Sequence, residues 1–97
     1  MEIKITWTKQ AEFGLKRTIT YLKENWTEKE ILRLRKNIIA FVQRIKTFPE
    51  IYPATSKDLS LHKGPVDENN YIVYQFIEKE REIRIINFRS FKQKPIY

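Results

Sequence analysis

Arg89, Lys92 and Lys94 are interleaved with Phe88, Phe91 and Tyr97 at the end of the chain, and no acidic residue follows Glu82. Fixed positive charge beside stacking rings suits a phosphate chain or an acidic protein surface. Cations neutralise phosphates, and a ring accepts the face of any base. The plain alternative is a solvated basic tail. The position of the segment favours the first reading, because Ile85 and Ile86 lead directly into it and make it the exit of an apolar strand.

Composition narrows the chemistry. With no cysteine and one histidine, His62, the chain is not expected to hold a disulfide, a thiol nucleophile or a multi-residue metal site. No metal and no other cofactor is expected. The formal net charge of +7 and a sequence pI near 9.7 bear on partners: nucleic acid, the ribosome, an anionic membrane or an acidic protein. The first residues, Met1 to Trp7, are too short and too charged for a signal peptide, and no apolar run reaches membrane-spanning length. A cytoplasmic location without membrane contact is therefore expected.

Ninety-seven residues, 41% of them hydrophobic and only two of them glycine, imply a single domain, 1–97, with one modest core. Ile3, Ile5 and Trp7 alternate with charged or polar neighbours, the period of a half-buried strand. Thr8 offers a hydroxyl to cap a helix whose face is Ala11, Leu15, Ile19, Leu22 and Trp26, ending near Asn25. Thr27 and Glu30 are spaced as a capping box for a second helix. Its stripe is Ile31, Leu34, Ile38, Val42, Ile45 and Phe48, and Pro49 ends it. So short a connection makes the helices antiparallel neighbours, an αα-hairpin. A loop over 50–58 precedes a weak strand, Leu59 to Lys63, broken by Gly64-Pro65. Tyr71–Ile77 and Glu82–Phe88 form a hairpin. Simple alternation puts Val73, Ile77, Ile83 and Ile85 on one face, and Ile72, Tyr74, Phe76, Ile86 and Phe88 on the other. With helices on one face, the second would expose rings and isoleucines unless a partner or the tail covered it.

The order strand, αα-hairpin, proline-bearing loop and three-stranded antiparallel meander, an α+β fold, resembles the RelE/ParE superfamily of toxins from bacterial type II toxin–antitoxin systems. The landmarks are Ile5-Thr6-Trp7-Thr8 with Ala11, Tyr21-Leu22, Phe48-Pro49, Tyr71-Ile72-Val73-Tyr74, and Phe88 through Pro95. Within the last, Lys92-Gln93-Lys94-Pro95 is similar to an arginine-glutamine-x-proline run, with lysine in place of arginine. The likeness spans essentially the whole chain. It implies a cognate antitoxin protein that wraps the toxin as a hetero-oligomer. It also implies one of two targets: messenger RNA cut on the ribosome (RelE-type), or DNA gyrase inhibited without catalysis (ParE-type).

The resemblance assigns roles to residues. Metal-free RNA cleavage needs a proton taken from the 2′-hydroxyl, charge matched at phosphorus and a proton delivered to the leaving 5′-oxygen. RelE-type toxins meet these needs with lysines, arginines and a C-terminal tyrosine. The implied candidates are Arg89 and Lys92 for phosphate charge, His62 or Lys63 as proton carrier, and Tyr97 to orient or stack a base. Arg84, Lys94 and Phe91 are further nucleic-acid contacts. Each has a plain alternative: Arg84 pairs with a hairpin glutamate, His62 is hydrogen-bonded filler, Lys63 decorates a bend and Tyr97 frays. The gyrase reading expects no convergence and a broad docking surface of Arg33, Lys36 and Arg44 with the tail. A non-toxic basic nucleic-acid-binding module is the third reading, driven by charge alone.

Overall fold

Residues 2–94 and 96–97 are described by the computed structural model; Met1 and Pro95, the proline of the closing run, lie outside the described residues. The elements are β1 (Lys4–Trp7), α1 (Lys9–Asn25), α2 (Glu28–Thr47), β2 (His62–Pro65), β3 (Asn70–Ile77) and β4 (Glu82–Ser90). The meander β2–β3–β4 is antiparallel, and β1 joins it as a parallel edge beside β4, giving the order β1-β4-β3-β2. The helical hairpin packs on one side of this sheet, and Leu34, Phe41 and Ile45 of α2 share a core with Ile72, Tyr74, Ile83, Ile85 and Phe88. Phe41, absent from the stripe read in the sequence, is fully buried, while Trp26 and Phe48, placed on the inner faces, are exposed.

A bulge overturns the face assignment made from simple alternation. Val73 pairs with Asn87 but Tyr74 pairs with Ile85, so Ile86 is an extra residue in β4. One inserted residue reverses the parity of everything beyond it. Ile72, Tyr74, Ile83, Ile85 and Phe88 therefore all meet the helices, and Tyr71, Val73, Gln75, Arg84, Asn87 and Arg89 fall on the outer face. That face is largely polar, so the exposed apolar surface expected there does not exist. Thr8 helps to fix the bulge. Its hydroxyl donates to the Ile86 carbonyl at 3.0 Å and accepts from the Ala11 amide at 3.2 Å, so one side chain caps α1 and satisfies the irregular strand.

Two smaller expectations also change. Thr27 makes no side-chain cap bond; the Glu30 amide donates to the Thr27 carbonyl instead, and the Glu30 carboxylate lies 3.8 Å from Arg33. The weak strand begins at His62 and not at Leu59, because Asp58 holds a turn by accepting from the amide and hydroxyl of Ser60. It then runs through Gly64-Pro65. Proline is tolerated because β2 is the edge of the sheet.

Tyr74 gives a test of this core. Its ring is fully buried, its hydroxyl donates to the Pro49 carbonyl at 2.7 Å, and burial raises the phenol from 10.0 to about 12. The unfolded chain thus loses this proton at lower pH than the folded one. The resulting stability is complete below pH 10 and falls as pH rises through 12. Wild type is expected to lose about 2–3 kcal/mol through this group across that interval. Tyr74→Phe should start about 1 kcal/mol lower, from the lost hydrogen bond, and lack that part of the alkaline loss. Urea melts across the range check it; parallel pH profiles for the two proteins would mean the phenol is not buried.

Candidate functional site

The outer face gathers residues from three strands and the tail at one end of the sheet. Lys63 stands opposite Val73 on β3, two register steps from the Pro65–Tyr71 pair and so on the same face as Tyr71. Tyr71 pairs with Arg89 on β4. The Lys63 ammonium lies 4.7 Å from the centroid of the Tyr71 ring, and the Phe91 ring lies 5.0 Å from the same ring. The Arg89 Nε donates to the Tyr71 hydroxyl at 3.1 Å, and its Nη2 donates to the Lys94 carbonyl at 2.7 Å. Asn87, buried on the same face, donates from Nδ2 to the Tyr97 hydroxyl at 3.0 Å. The tail is thereby tied across the sheet. Its path is set by a turn over Ser90–Gln93, in which the Ser90 amide donates to the Gln93 side chain at 2.9 Å and the Lys92 amide to the Ser90 hydroxyl at 3.1 Å.

Lys63, Arg89, Phe91 and Tyr97 of the sequence candidates are thus brought together. His62 is not. Adjacent residues of a strand face opposite sides, and the His62 ring stacks on Tyr74, 5.3 Å between centroids, with Nδ1 at 2.9 Å from the Tyr52 carbonyl. Arg84 also lies apart, five positions along β4 from Arg89, or roughly 15 Å at strand rise. It pairs with Glu82 at 3.3 Å, the plain alternative for that residue. Lys92 and Lys94 are exposed on and after the turn, beside the cluster. The hub residues Tyr71 and Asn87 were missed. Tyr71 is read in the sequence as a strand residue and a landmark of the resemblance, with no site role, and the bulge brings Asn87 to the outer face.

Arg89 is the natural anion ligand here. It is half-buried, its orientation is fixed by two bonds, and most of its N–H groups have no partner among the described residues. The Lys63 ammonium is held against a ring face, which positions it without neutralising it. The cluster offers two cations and two phenols at one end of a rigid sheet, suited to a phosphodiester with a stacked base.

No family model matches the chain, and no curated protein matches it significantly. Solved structures do. The chromosomal ParDE system from P. aeruginosa superposes with a TM-score of 0.74 at 12% identity, covering 92% of this chain and 96% of that one. The YoeB/ParE toxin from Agrobacterium tumefaciens gives 0.69 at 13% identity, over 91% and 98%. The isolated E. coli RelE toxin gives 0.62 at 12% identity, over 98% and 90%. The chain has the RelE/ParE toxin fold.

Proposed function

We propose that this chain is the toxin of a type II toxin–antitoxin pair, acting in the cytoplasm by cutting messenger RNA on the ribosome. The convergence of Lys63, Tyr71, Arg89 and Tyr97 on one end of the outer sheet face carries this reading. In it, Arg89 matches the charge that builds on the phosphorus-bound oxygens as the 2′-hydroxyl attacks. The Lys63 ammonium delivers a proton to the leaving 5′-oxygen as its bond to phosphorus breaks, and the proton of the 2′-hydroxyl passes to solvent. Tyr97 orients the base, and Lys92 and Lys94 engage neighbouring phosphates. Toxins of this fold have been solved with partners, as in the YoeB-YefM complex from Staphylococcus aureus and the archaeal RelE-RelB complex from Pyrococcus horikoshii OT3. An antitoxin here would cover the apolar residues that the helical hairpin exposes, among them Tyr21, Trp26 and Leu32.

One observation favours gyrase inhibition as a second reading. His62, the one histidine of the sequence and a candidate proton carrier, is turned away from the cluster. Purified protein added to a translating extract should yield cut messenger RNA while gyrase supercoiling, assayed in parallel, continues. Inhibited supercoiling with intact RNA would select the second reading.

A further inference from the structure

α1 carries a feature that the cluster does not use. Lys9, Phe13 and Arg17 follow one another at intervals of four and form a single ridge on the helix. Phe13 is 68% exposed, which is unusual for a ring in the middle of a helix that has an apolar face of its own. The ridge forms one wall of an open groove of about 370 Å³, whose other wall is the end of β4 and the following turn, with Arg89 and Gln93. None of the residues lining the groove is acidic. The Arg17 guanidinium lies over the Phe13 ring, 5.7 Å from its centroid.

We propose that this groove is a base-stacking subsite for single-stranded RNA, with Phe13 as the platform and Lys9, Arg17 and Arg89 as phosphate ligands. The proposal deepens the reading of Arg89 as a phosphate-binding group, because Arg89 belongs both to the Tyr71 cluster and to the groove wall. A strand held at the cluster would cross the end of β4 and place a neighbouring nucleotide on Phe13. The volume is near the small end of ligand clefts, roughly 300–1,000 Å³, and accommodates one nucleotide-sized group. Arg17 is exposed, and it occupies the position over the ring that a base would take. It can move to the adjoining phosphate while a base replaces it on the ring. An amphipathic peptide helix fits less well. It needs a continuous apolar strip, whereas this ring is isolated between cations one turn away on either side.

The test is fluorescence anisotropy with two labelled ligands, hexauridylate and an abasic ribose-phosphate hexamer of the same charge, against wild type, Phe13→Ala and Phe13→Trp. Phe13→Ala should weaken hexauridylate binding about 5- to 150-fold, the effect of losing one stacked base. It should leave the abasic hexamer and the melting temperature unchanged, and Phe13→Trp should retain hexauridylate. Equal hexauridylate affinity for wild type and Phe13→Ala, equal losses for both ligands, or no hexauridylate binding by wild type would each overturn the subsite. Phe13-dependent binding by a protein that cuts no RNA would instead uphold the subsite and remove the nuclease reading. An acidic peptide that binds with the same Phe13 dependence, while hexauridylate does not, would assign the groove to a protein partner and overturn the proposal.

Discussion

Arg89→Ala is expected to lower messenger RNA cleavage in a translating extract by about 100- to 1,000-fold, the usual loss when one preorganised donor to a developing oxyanion is removed. The expectation comes from how Arg89 is held. Tyr71 fixes Nε and the Lys94 carbonyl fixes Nη2, so the remaining donors are aimed before any substrate arrives. A charge oriented in advance costs no reorganisation in the transition state. Arg89→Lys should restore only part of the activity. An ammonium keeps the charge but donates from a single nitrogen, whereas the planar guanidinium reaches tyrosine and tail from separate nitrogens and still faces a phosphate. Arg89 also ties down the tail, so a loss of activity could come from a displaced Tyr97. Tyr71→Phe separates the two effects: it removes the acceptor for Nε while leaving the guanidinium and the Lys94 contact in place. It should cost far less than Arg89→Ala. Full cleavage by the Lys63→Ala/Arg89→Ala double variant would put the chemistry elsewhere on the molecule.

The elements were legible because each has a local cause. Ile3, Ile5 and Trp7 alternate, Thr8 caps, Pro49 stops a helix, and two apolar runs flank a charged turn. The sheet topology added one fact that no local pattern contains: β1 lies parallel to β4. The outer face was misread for a specific reason. Ile83-Arg84-Ile85 alternates, and so does Ile86-Asn87-Phe88, but the doubled isoleucine at 85–86 shifts the parity between them, and a single alternation carried through both halves assigns the wrong faces. Pairing with β3 identifies Ile86 as the extra residue. Site residues divided along the same line. Lys63, Arg89 and Tyr97 stood out by charge or position. Tyr71 and Asn87 owe their place to register, and Phe13 to the approach of α1 to β4.

That approach depends on Gly14, and Gly14→Ala is expected to destabilise the protein against the direction helix propensity alone would give. In an exposed helix interior, alanine in place of glycine stabilises by about 1 kcal/mol. Gly14 is buried where α1 crosses β4. A Cβ there would meet the Phe88 carbonyl, lying 3.2 Å from its carbon and closer still to its oxygen. Backbone inside a paired strand cannot rotate away as a side-chain tip can, so the helix must lift or the strand must bend. Overpacking of this kind costs about 1–3 kcal/mol or more, and contact with a main-chain carbonyl belongs at the upper end. A net loss near 2 kcal/mol would lower the melting temperature by about 10 °C in a domain of this size. The consequence reaches the site, because Gly14 follows Phe13 and Phe88 precedes Arg89: the contact that seats the helix also sets the width of the groove between ring and guanidinium. Gly14→Ala should therefore weaken hexauridylate binding even at temperatures where the protein remains folded, whereas a destabilising change remote from the groove, such as Tyr74→Phe, should not. A melting temperature that rises in Gly14→Ala would mean that α1 does not rest on β4 at this point, and the groove would lose its wall.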